Sequence, residues 1–280
     1  MATSPSHAPL TLLRYCTATP TARAQVQLPQ HMFTFLLEGE KVVQFAGARV
    51  TVHPSQVLLL GAGNCLMSEK VATPGGHYHS LLLLFDPALL RDFFSRHAAW
   101  LGQAPAAPRV GPPLVLLAAD AFLQAYVRSL DCLLSPAGGA VPDPLLHAKW
   151  EELLVYLALY QPAQLAALRH LGQVGSEELR VREAVTAHLA GPGPVSVAEL
   201  AFLCHMSAST FKRRFAQLYD SSPGRWLLHQ RMAQAAHQLR PAGQPVGEVA
   251  AELGYEDVSS FIQAFKQVHG RTPKQYQLAG

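Results

Sequence analysis

The sequence has few of the features that mark a metalloprotein, a secreted protein or a membrane protein. Its four cysteines lie far apart and form no C-x-x-C pair, which argues against a zinc site and suits a reducing compartment. The apolar runs at residues 57–60 and 81–85 are far shorter than the roughly 20 residues of a membrane-spanning helix. The N-terminus lacks the charged-then-apolar pattern of a signal peptide. We therefore expect a cytoplasmic protein with no membrane partner.

Catalytic and cofactor-binding motifs are also missing. The sequence contains no G-x-S-x-G, no Walker loop and no dinucleotide fingerprint, so it predicts neither an enzyme nor a cofactor. Charge is modest, with a net value of +3 over 280 residues. From residue 177 onward, 11 Lys and Arg face 9 Asp and Glu, a surplus of two. If the chain binds nucleic acid, this small surplus favours specific contacts over bulk attraction.

What the chain does contain is an internal repeat near its C-terminus. Residues 195–226 align without a gap on residues 245–276, at an offset of 50. The matched pairs are Ala201 with Ala251, Leu203 with Leu253, Ser209 with Ser259, Phe211 with Phe261, Phe215 with Phe265, Pro223 with Pro273, and Trp226 with Tyr276. A repeat of this length indicates one supersecondary unit that is used twice.

Each copy reads as two short helices and a turn. In the first copy, Ser196 and Glu199 form a predicted capping box, and Ser207 is a predicted cap for the second helix. In the second copy, Gly254 is a predicted helix stop. Two short helices joined by a tight turn indicate a helix-turn-helix, whose second helix enters the DNA major groove. The predicted recognition helices are 208–219 and 258–269, joined by a linking helix at 223–239.

The outward faces of the two second helices carry side chains suited to DNA. With both phenylalanines of each helix inward, the outward residues are Ser209, Lys212 and Arg213 in the first copy and Ser259, Gln263 and Lys266 in the second. Such side chains bond base edges and phosphates. A plain solvated face is the alternative for any one of them, but the duplication favours DNA reading for the whole unit.

Residues 177–280 resemble the double helix-turn-helix domain of AraC-type transcription regulators. The segment 254–261, Phe265-Lys266, residues 270–273 and Tyr276 follow that family's signature. Two positions depart from it, with Ile262 in place of a usual aromatic and Gln277 in place of a frequent arginine. The resemblance implies that one half-site is read by Ala208, Ser209, Lys212 and Arg213, and the other, in the next major groove, by Ser259, Ser260 and Gln263.

The N-terminal part reads as a β-domain. Strands are predicted at 32–37, 41–45, 49–52, 57–60, 65–69 and 77–85. Short strands at this spacing indicate a small barrel or sandwich. They are similar to the cupin-type sensor domains that precede the DNA-binding domain in the AraC family. We therefore predict an α+β chain, with a cupin-like β-barrel and flanking helices at 1–171, a linker at 172–176, and an all-α domain of two helix-turn-helix motifs at 177–280.

Helices are predicted after the β-domain, at 88–96, 114–134, 145–160 and 162–171, with Asp143 as the cap of the third. Family resemblance makes them candidates for a homodimer contact. The candidate stripe is Leu116, Leu123, Val127, Leu130 and Leu134, but a stripe buried within the domain is the favoured interpretation. Residues 150–154 and 209–212 resemble the subgroup that activates type III secretion operons, in which a binding protein can replace a small ligand.

Two histidines on a predicted strand are candidate metal ligands. His77 and His79 form an H-x-H on a predicted strand, as in metal-binding cupins, and would share one face. A cupin site also needs a nearby carboxylate, and residues 81–84 supply none. We therefore predict no metal and regard a metal-dependent cupin enzyme fused to a DNA-binding domain as the least favoured alternative.

The predicted function is a DNA-binding transcription regulator that acts as an activator. The partners implied are promoter DNA, RNA polymerase, a second copy of the chain through the N-terminal helices, and either a small-molecule effector or an anti-activator protein. In the protein-controlled alternative, the N-terminal domain is an interaction module that controls secretion genes without a small ligand.

Overall fold

The chain forms two compact units, residues 1–175 and 176–280. The computed structural model describes residues 8–70, 76–101, 113–134, 141–169, 171, 176–190, 196–239, 244–255 and 257–278. Most of the linker predicted at 172–176 lies outside these residues, as do most of the loops between the N-terminal helices.

The first unit contains nine strands among the described residues. They are β1 Leu10–Thr17, β2 Thr21–Leu28, β3 His31–Glu38, β4 Glu40–Gln44, β5 Arg49–Val52, β6 Gln56–Leu60, β7 Gly63–Lys70, β8 Tyr78–Phe85 and β9 Leu114–Ala118. One sheet has the order β1-β8-β3-β6-β9, and the other has the order β2-β7-β4-β5. The predicted β-domain is confirmed, and so is the mixed α+β class of the chain.

The central strands of the five-stranded sheet are buried on both faces. Phe33 and Phe35 on β3 belong to a core that also contains residues of the following helices, such as Trp150. Met32 and Leu36, which alternate with them, belong to a second core that also contains residues of the other sheet. Successive side chains of a strand point to opposite faces. The run from His31 to Leu36 is therefore buried throughout, and strict polar alternation is absent from its sequence.

A buried ion pair within the four-stranded sheet is hydrogen-bonded to the other sheet. Lys41 Nζ on β4 lies 3.1 Å from Glu69 Oε1 on β7, and both side chains are more than nine-tenths buried. The hydroxyls of Tyr15 and Thr21 donate to Glu69 Oε2 at 3.0 and 3.1 Å. Because Tyr15 belongs to the other sheet, the carboxylate joins both layers. Such a pair is tolerable in a core only when its remaining lone pairs are satisfied.

In the part of the first unit that the structure describes, five helices accompany the sheets: α1 Pro87–Arg96, α2 Ala98–Leu101, α3 Ala121–Leu133, α4 Asp143–Tyr160 and α5 Pro162–Leu168. The long helix predicted at 114–134 is wrong in its first part. Residues 114–118 pair antiparallel with β6 instead and extend the sheet. The helix begins only after Asp120, whose carboxylate accepts from the backbone N–H of Leu123 at 3.0 Å.

Two further expectations about these helices need correction. Asp143 is not the cap of α4, because Pro142 occupies that position and Asp143 is the first helical residue. The predicted dimer stripe is also wrong as a surface. Leu123, Val127 and Leu130 are buried in the core of the unit, and Leu116 lies on β9 rather than on a helix. The intramolecular interpretation of the stripe is therefore confirmed for the three helical positions.

The second unit is helical over the residues described. Its helices are α6 Glu177–Ala190, α7 Val197–Leu203, α8 Ala208–Tyr219, α9 Pro223–Gln238, α10 Val246–Glu252, α11 Val258–His269 and α12 Pro273–Leu278. The second helix-turn-helix, α10 and α11, shares one core with the C-terminal half of α9, where Met232 and Ala235 pack with Phe261 and Phe265. The first motif, α7 and α8, contacts α6 and the start of α9.

The offset of 50 residues predicted from the gapless alignment is correct for the second helix of each motif and wrong for the first helix. Helices α8 and α11 begin at 208 and 258, but α7 and α10 begin at 197 and 246, an offset of 49. Ala201 therefore corresponds to Ala250, which is also buried, while Ala251 is exposed. The difference arises in the turns. The left-handed residue precedes the N-cap by two positions in the first copy (His205 to Ser207) and by three in the second (Gly254 to Asp257).

Candidate nucleic-acid interface

Helix α8 is fixed at both ends and along one side. Ser207 caps it, accepting from the backbone N–H of Thr210 at 3.2 Å, and Asp220 ends it in the left-handed conformation. Phe211 and Phe215 are fully buried one turn apart. Since two large side chains at this spacing lie on one helix face, the opposite face is left for solvent or a ligand.

The predicted base-reading residues of α8 are all exposed. Ser209, Lys212 and Arg213 lie on the side away from the buried phenylalanines, and Ala208 is the exposed first residue of the helix. The neighbouring Arg214 bonds Glu177 Oε2 at 3.1 Å and so is tied to α6. Within the described part of the chain, no carboxylate lies within ion-pair distance of Lys212 or Arg213, so both charges are available to phosphates or bases.

Helix α11 repeats the plan with a different cap. The Asp257 carboxylate accepts from the backbone N–H of Ser260 at 2.7 Å and from its hydroxyl at 2.6 Å. These hydrogen bonds from Ser260 lower the pKa of Asp257. Phe261 and Phe265 are fully buried, and Gly270 ends the helix with a φ of 73°.

The exposed face of α11 is less charged than that of α8. Ser259, Ser260, Gln263 and Lys266 are all exposed, as predicted for an outward face. Because the Ser260 hydroxyl proton is donated to Asp257, this side chain offers only acceptor capacity to a base. Val258, which sequence reasoning did not single out, is also exposed at the start of the helix. Its alignment with Ala208 was the signal that could have drawn attention to it.

Aromatic clusters hold each recognition helix against the helix that follows it. In the first motif, Tyr219 stacks on Phe215 at 4.5 Å and contacts Trp226 at 4.7 Å between ring centroids. In the second, Phe265 contacts His269 at 4.4 Å and Tyr276 at 5.4 Å. The two copies therefore have equivalent ring clusters that differ in their residues. In both copies the cluster positions the exposed face of the recognition helix.

Helix α9 touches both motifs. Near its start, Trp226 packs against the first motif, and Met232, Ala235 and Leu239 lie in the core of the second. The predicted linking helix at 223–239 is thus confirmed, with Leu239 as its cap. Because a single uninterrupted helix joins them, the two recognition helices are held at a fixed separation.

The remaining candidate positions support other roles. Gln277 donates to the backbone carbonyl of Gln244 at 3.0 Å, tying α12 to the segment before α10. His77 is exposed and His79 is partly buried, on either side of the fully buried Tyr78. Among the described residues, no group of three or more His, Cys, Asp or Glu could hold a metal ion. Over the same residues, no helix is long and apolar enough to cross a membrane.

Comparison with known proteins identifies both parts of the chain. Residues 200–279 match the family model of a helix-turn-helix domain, and residues 31–168 match that of the ExsA N-terminal regulatory domain. The chain belongs to the AraC-type transcription regulators. The resemblance found in the sequence is therefore confirmed, including the narrower likeness to activators of type III secretion.

Three curated relatives align along most of their length. The HTH-type transcriptional regulator ExsA of Pseudomonas aeruginosa is 27% identical over 91% of this chain and 88% of its own. The virulence regulon transcriptional activator VirF of Yersinia enterocolitica is 27% identical over 97% of both chains. The thermoregulatory protein LcrF of Yersinia pestis is 26% identical over 90% of this chain and 91% of its own. The match thus spans the β-domain as well as the DNA-binding domain.

Proposed function

We propose that this protein activates transcription in the cytoplasm by placing α8 and α11 in two successive major grooves of promoter DNA. The observation that carries the proposal is the duplicated motif. Each copy presents an exposed polar face on a helix that is anchored by two buried phenylalanines, and one continuous helix joins the copies. By this reading Ala208, Ser209, Lys212 and Arg213 contact one half-site, and Ser259, Ser260, Gln263 and Lys266 contact the next.

The length of α9 gives the proposal a geometric consequence. Its 16 residues rise about 24 Å at roughly 1.5 Å per residue. Successive major grooves on one side of B-DNA lie about 34 Å apart. A rigid link shorter than this distance favours a bent site, with the bend toward the protein. Sequence-dependent bending would then contribute to specificity at base pairs that no side chain touches.

Selection of bound duplexes from a random pool, followed by footprinting on the selected site, tests this proposal. We expect two protected segments about 10 base pairs apart, centre to centre. The variant Arg182→Ala serves as a control that should keep both protected segments, because Arg182 lies on α6 and pairs with Glu178 there. A single protected segment, or equal binding to all duplexes, would contradict the two-groove arrangement.

The N-terminal unit is proposed to control this activity by binding a small effector. The space between the sheets is filled by fully buried side chains such as Val43, Leu58 and Cys65. A groove of about 160 Å³ lies outside it, lined by Phe35, Val127, Arg128 and neighbouring residues. Because Arg128 has no ionic partner among the described residues, the groove suits a small anion with an apolar body.

The competing proposal is that the N-terminal unit binds a regulatory protein, such as an anti-activator, and no small ligand. Thermal unfolding of the purified protein with a set of metabolites would be compared with capture of partners from extracts of the native host. A stabilising metabolite whose effect is lost in Arg128→Gln supports the effector. Capture of one protein without any stabilising metabolite supports the protein partner.

Contacts with a second copy and with RNA polymerase complete the proposal. The N-terminal helices expose Leu159 and Tyr160 at the end of α4, with 60% and 71% of their surfaces accessible. These side chains are better candidates for a homodimer contact than the predicted stripe. Sedimentation of the wild type and of Tyr160→Ser would test this, since a monomeric wild type contradicts the dimer. Transcription with purified RNA polymerase would test activation directly.

A further inference from the structure

An apolar side chain stands at the tip of the second recognition helix. Val258 is the first residue of α11, and 42% of its surface is accessible. The other exposed large apolar side chain in the described part of the second unit is Leu278, at the end of α12. Single exposed apolar residues are common on protein surfaces. The position of Val258, rather than its exposure alone, makes it informative.

The geometry of a helix directs this side chain forward. The bond from Cα to Cβ tilts toward the N-terminus of a helix, so the side chain of a first helical residue projects beyond the helix end. In helix-turn-helix proteins the N-terminal residues of the recognition helix contact base edges. Val258 therefore stands at the end of α11 that would enter the groove, one turn beyond the buried Phe261. Ala208, its counterpart on α8, has a single methyl group at the same place.

The residues around Val258 already supply the polar interactions at this end of the helix. The interaction left for Val258 itself is an apolar contact. Asp257 and Ser260 bond each other within the cap. Ser259 and Gln263 are exposed and can hydrogen-bond base edges. The isopropyl group of Val258 can neither cap the helix nor hydrogen-bond a base edge. The apolar group that DNA presents in its major groove is the 5-methyl of thymine.

We infer that Val258 contacts the 5-methyl group of a thymine in the half-site read by α11, and so determines specificity at that base pair. The inference rests on the proposed two-groove binding. It adds a hydrophobic contact to a helix whose other exposed residues are polar, and it assigns that contact to one residue and one chemical group.

Thymine-to-uracil substitution in the selected duplex tests the contact, because it removes the methyl group and leaves base pairing intact. Each thymine of the second half-site is replaced in turn, and the dissociation constant is measured with the full chain. The wild type is expected to lose about fourfold in affinity at one position, from the roughly 0.8 kcal/mol that burial of one methyl-sized group contributes. Val258→Ala is expected to bind the thymine duplex more weakly and to show no further loss at that uracil.

Ser259→Ala is the matched control, since it alters the adjacent exposed residue and should keep the uracil sensitivity. A wild type that tolerates uracil at every position would overturn the inference. So would a sensitivity that persists unchanged in Val258→Ala, or a selected half-site without thymine. Failure of the proposed function is a separate result: the wild type would then show no selective binding or no second protected segment.

Discussion

The two helix-turn-helix motifs share one scaffold and differ in what they present on it. Helix α8 carries Lys212, Arg213 and Arg214 in succession, whereas α11 carries Lys266 and otherwise neutral side chains on its exposed face. The buried phenylalanine pairs and aromatic clusters are equivalent. Packing therefore constrains the buried side of each recognition helix, while the exposed side can differ between the two copies. We expect the first motif to bind mainly through charge and the second through neutral contacts.

The largest expected effect tests whether the scaffolds are equivalent. Phe215→Ala and Phe265→Ala should each cost about 3–5 kcal/mol, because each removes a fully buried ring from a core with little room to relax. Amide hydrogen exchange in α8 and α11 would report the local opening free energy of each motif. The corresponding leucine variants are controls that retain most of the buried volume. A small cost at only one of the two positions would show that the scaffolds are not equivalent.

Charge removal tests the difference between the outward faces. Lys212→Ala should weaken specific binding by about 1–3 kcal/mol if the ammonium contacts a base, with the loss confined to one base pair. If it contacts a phosphate instead, the loss should be uniform across sequences and the salt dependence should fall by about one unit. Gln263→Ala should leave the salt dependence unchanged, since it removes no charge. Titrations with selected and scrambled duplexes at several salt concentrations measure both. Equal salt dependence of the two variants would contradict the division of roles.

The caps offer a test in which only one motif responds to acid. Ser207→Ala should destabilise α8 by about 0.5–2 kcal/mol, and Asp257→Ala should destabilise α11 by removing the equivalent cap. The pKa of Asp257 is lowered by its hydrogen bonds from Ser260, below its ordinary value of 3.8. Its contribution is therefore complete above that value and is lost as pH falls through the lowered pKa, whereas Ser207 does not titrate. Helical protection measured at pH 6 and near pH 3 should diverge for α11 between wild type and Asp257→Asn. A loss at low pH that is the same in α8 would refute this explanation.

The smallest expected effect concerns the residues that end the recognition helices. Asp220 and Gly270 are equivalent, with φ values of 48° and 73°. Gly270→Ala should cost about 1 kcal/mol, and the cost should be purely conformational because an added Cβ meets no atom within 4 Å. Asp220→Gly should stabilise by up to about 1 kcal/mol, offset in part by the flexibility it gives the unfolded chain. Thermal unfolding of both variants measures the two changes in stability, which should have opposite signs. Changes of the same sign would contradict the conformational explanation.

The recognition helices were predictable because every signal that bounds them is local. Caps at Ser207 and Asp257, phenylalanines one turn apart and a left-handed residue at each end place α8 and α11 where the sequence predicts them. The strand β9 was not predictable in this way. Residues 114–118 are apolar and would suit a helix, and the unpaired edge of β6 decides their conformation. Asp120 lies inside the segment predicted as one helix, and its carboxylate marks the place where α3 begins.

What the sequence determined by itself is the family, the duplicated motif and the outward chemistry of each recognition helix, since these depend on residue identities a few positions apart. What the tertiary structure decided is the correspondence of the first helices, the strand at 114–118 and the burial of the predicted dimer stripe. These features depend on which surface a segment meets. Hydrogen bonding to a distant strand and burial against a distant core outweigh local preference, because unpaired backbone groups and exposed apolar surface both cost free energy.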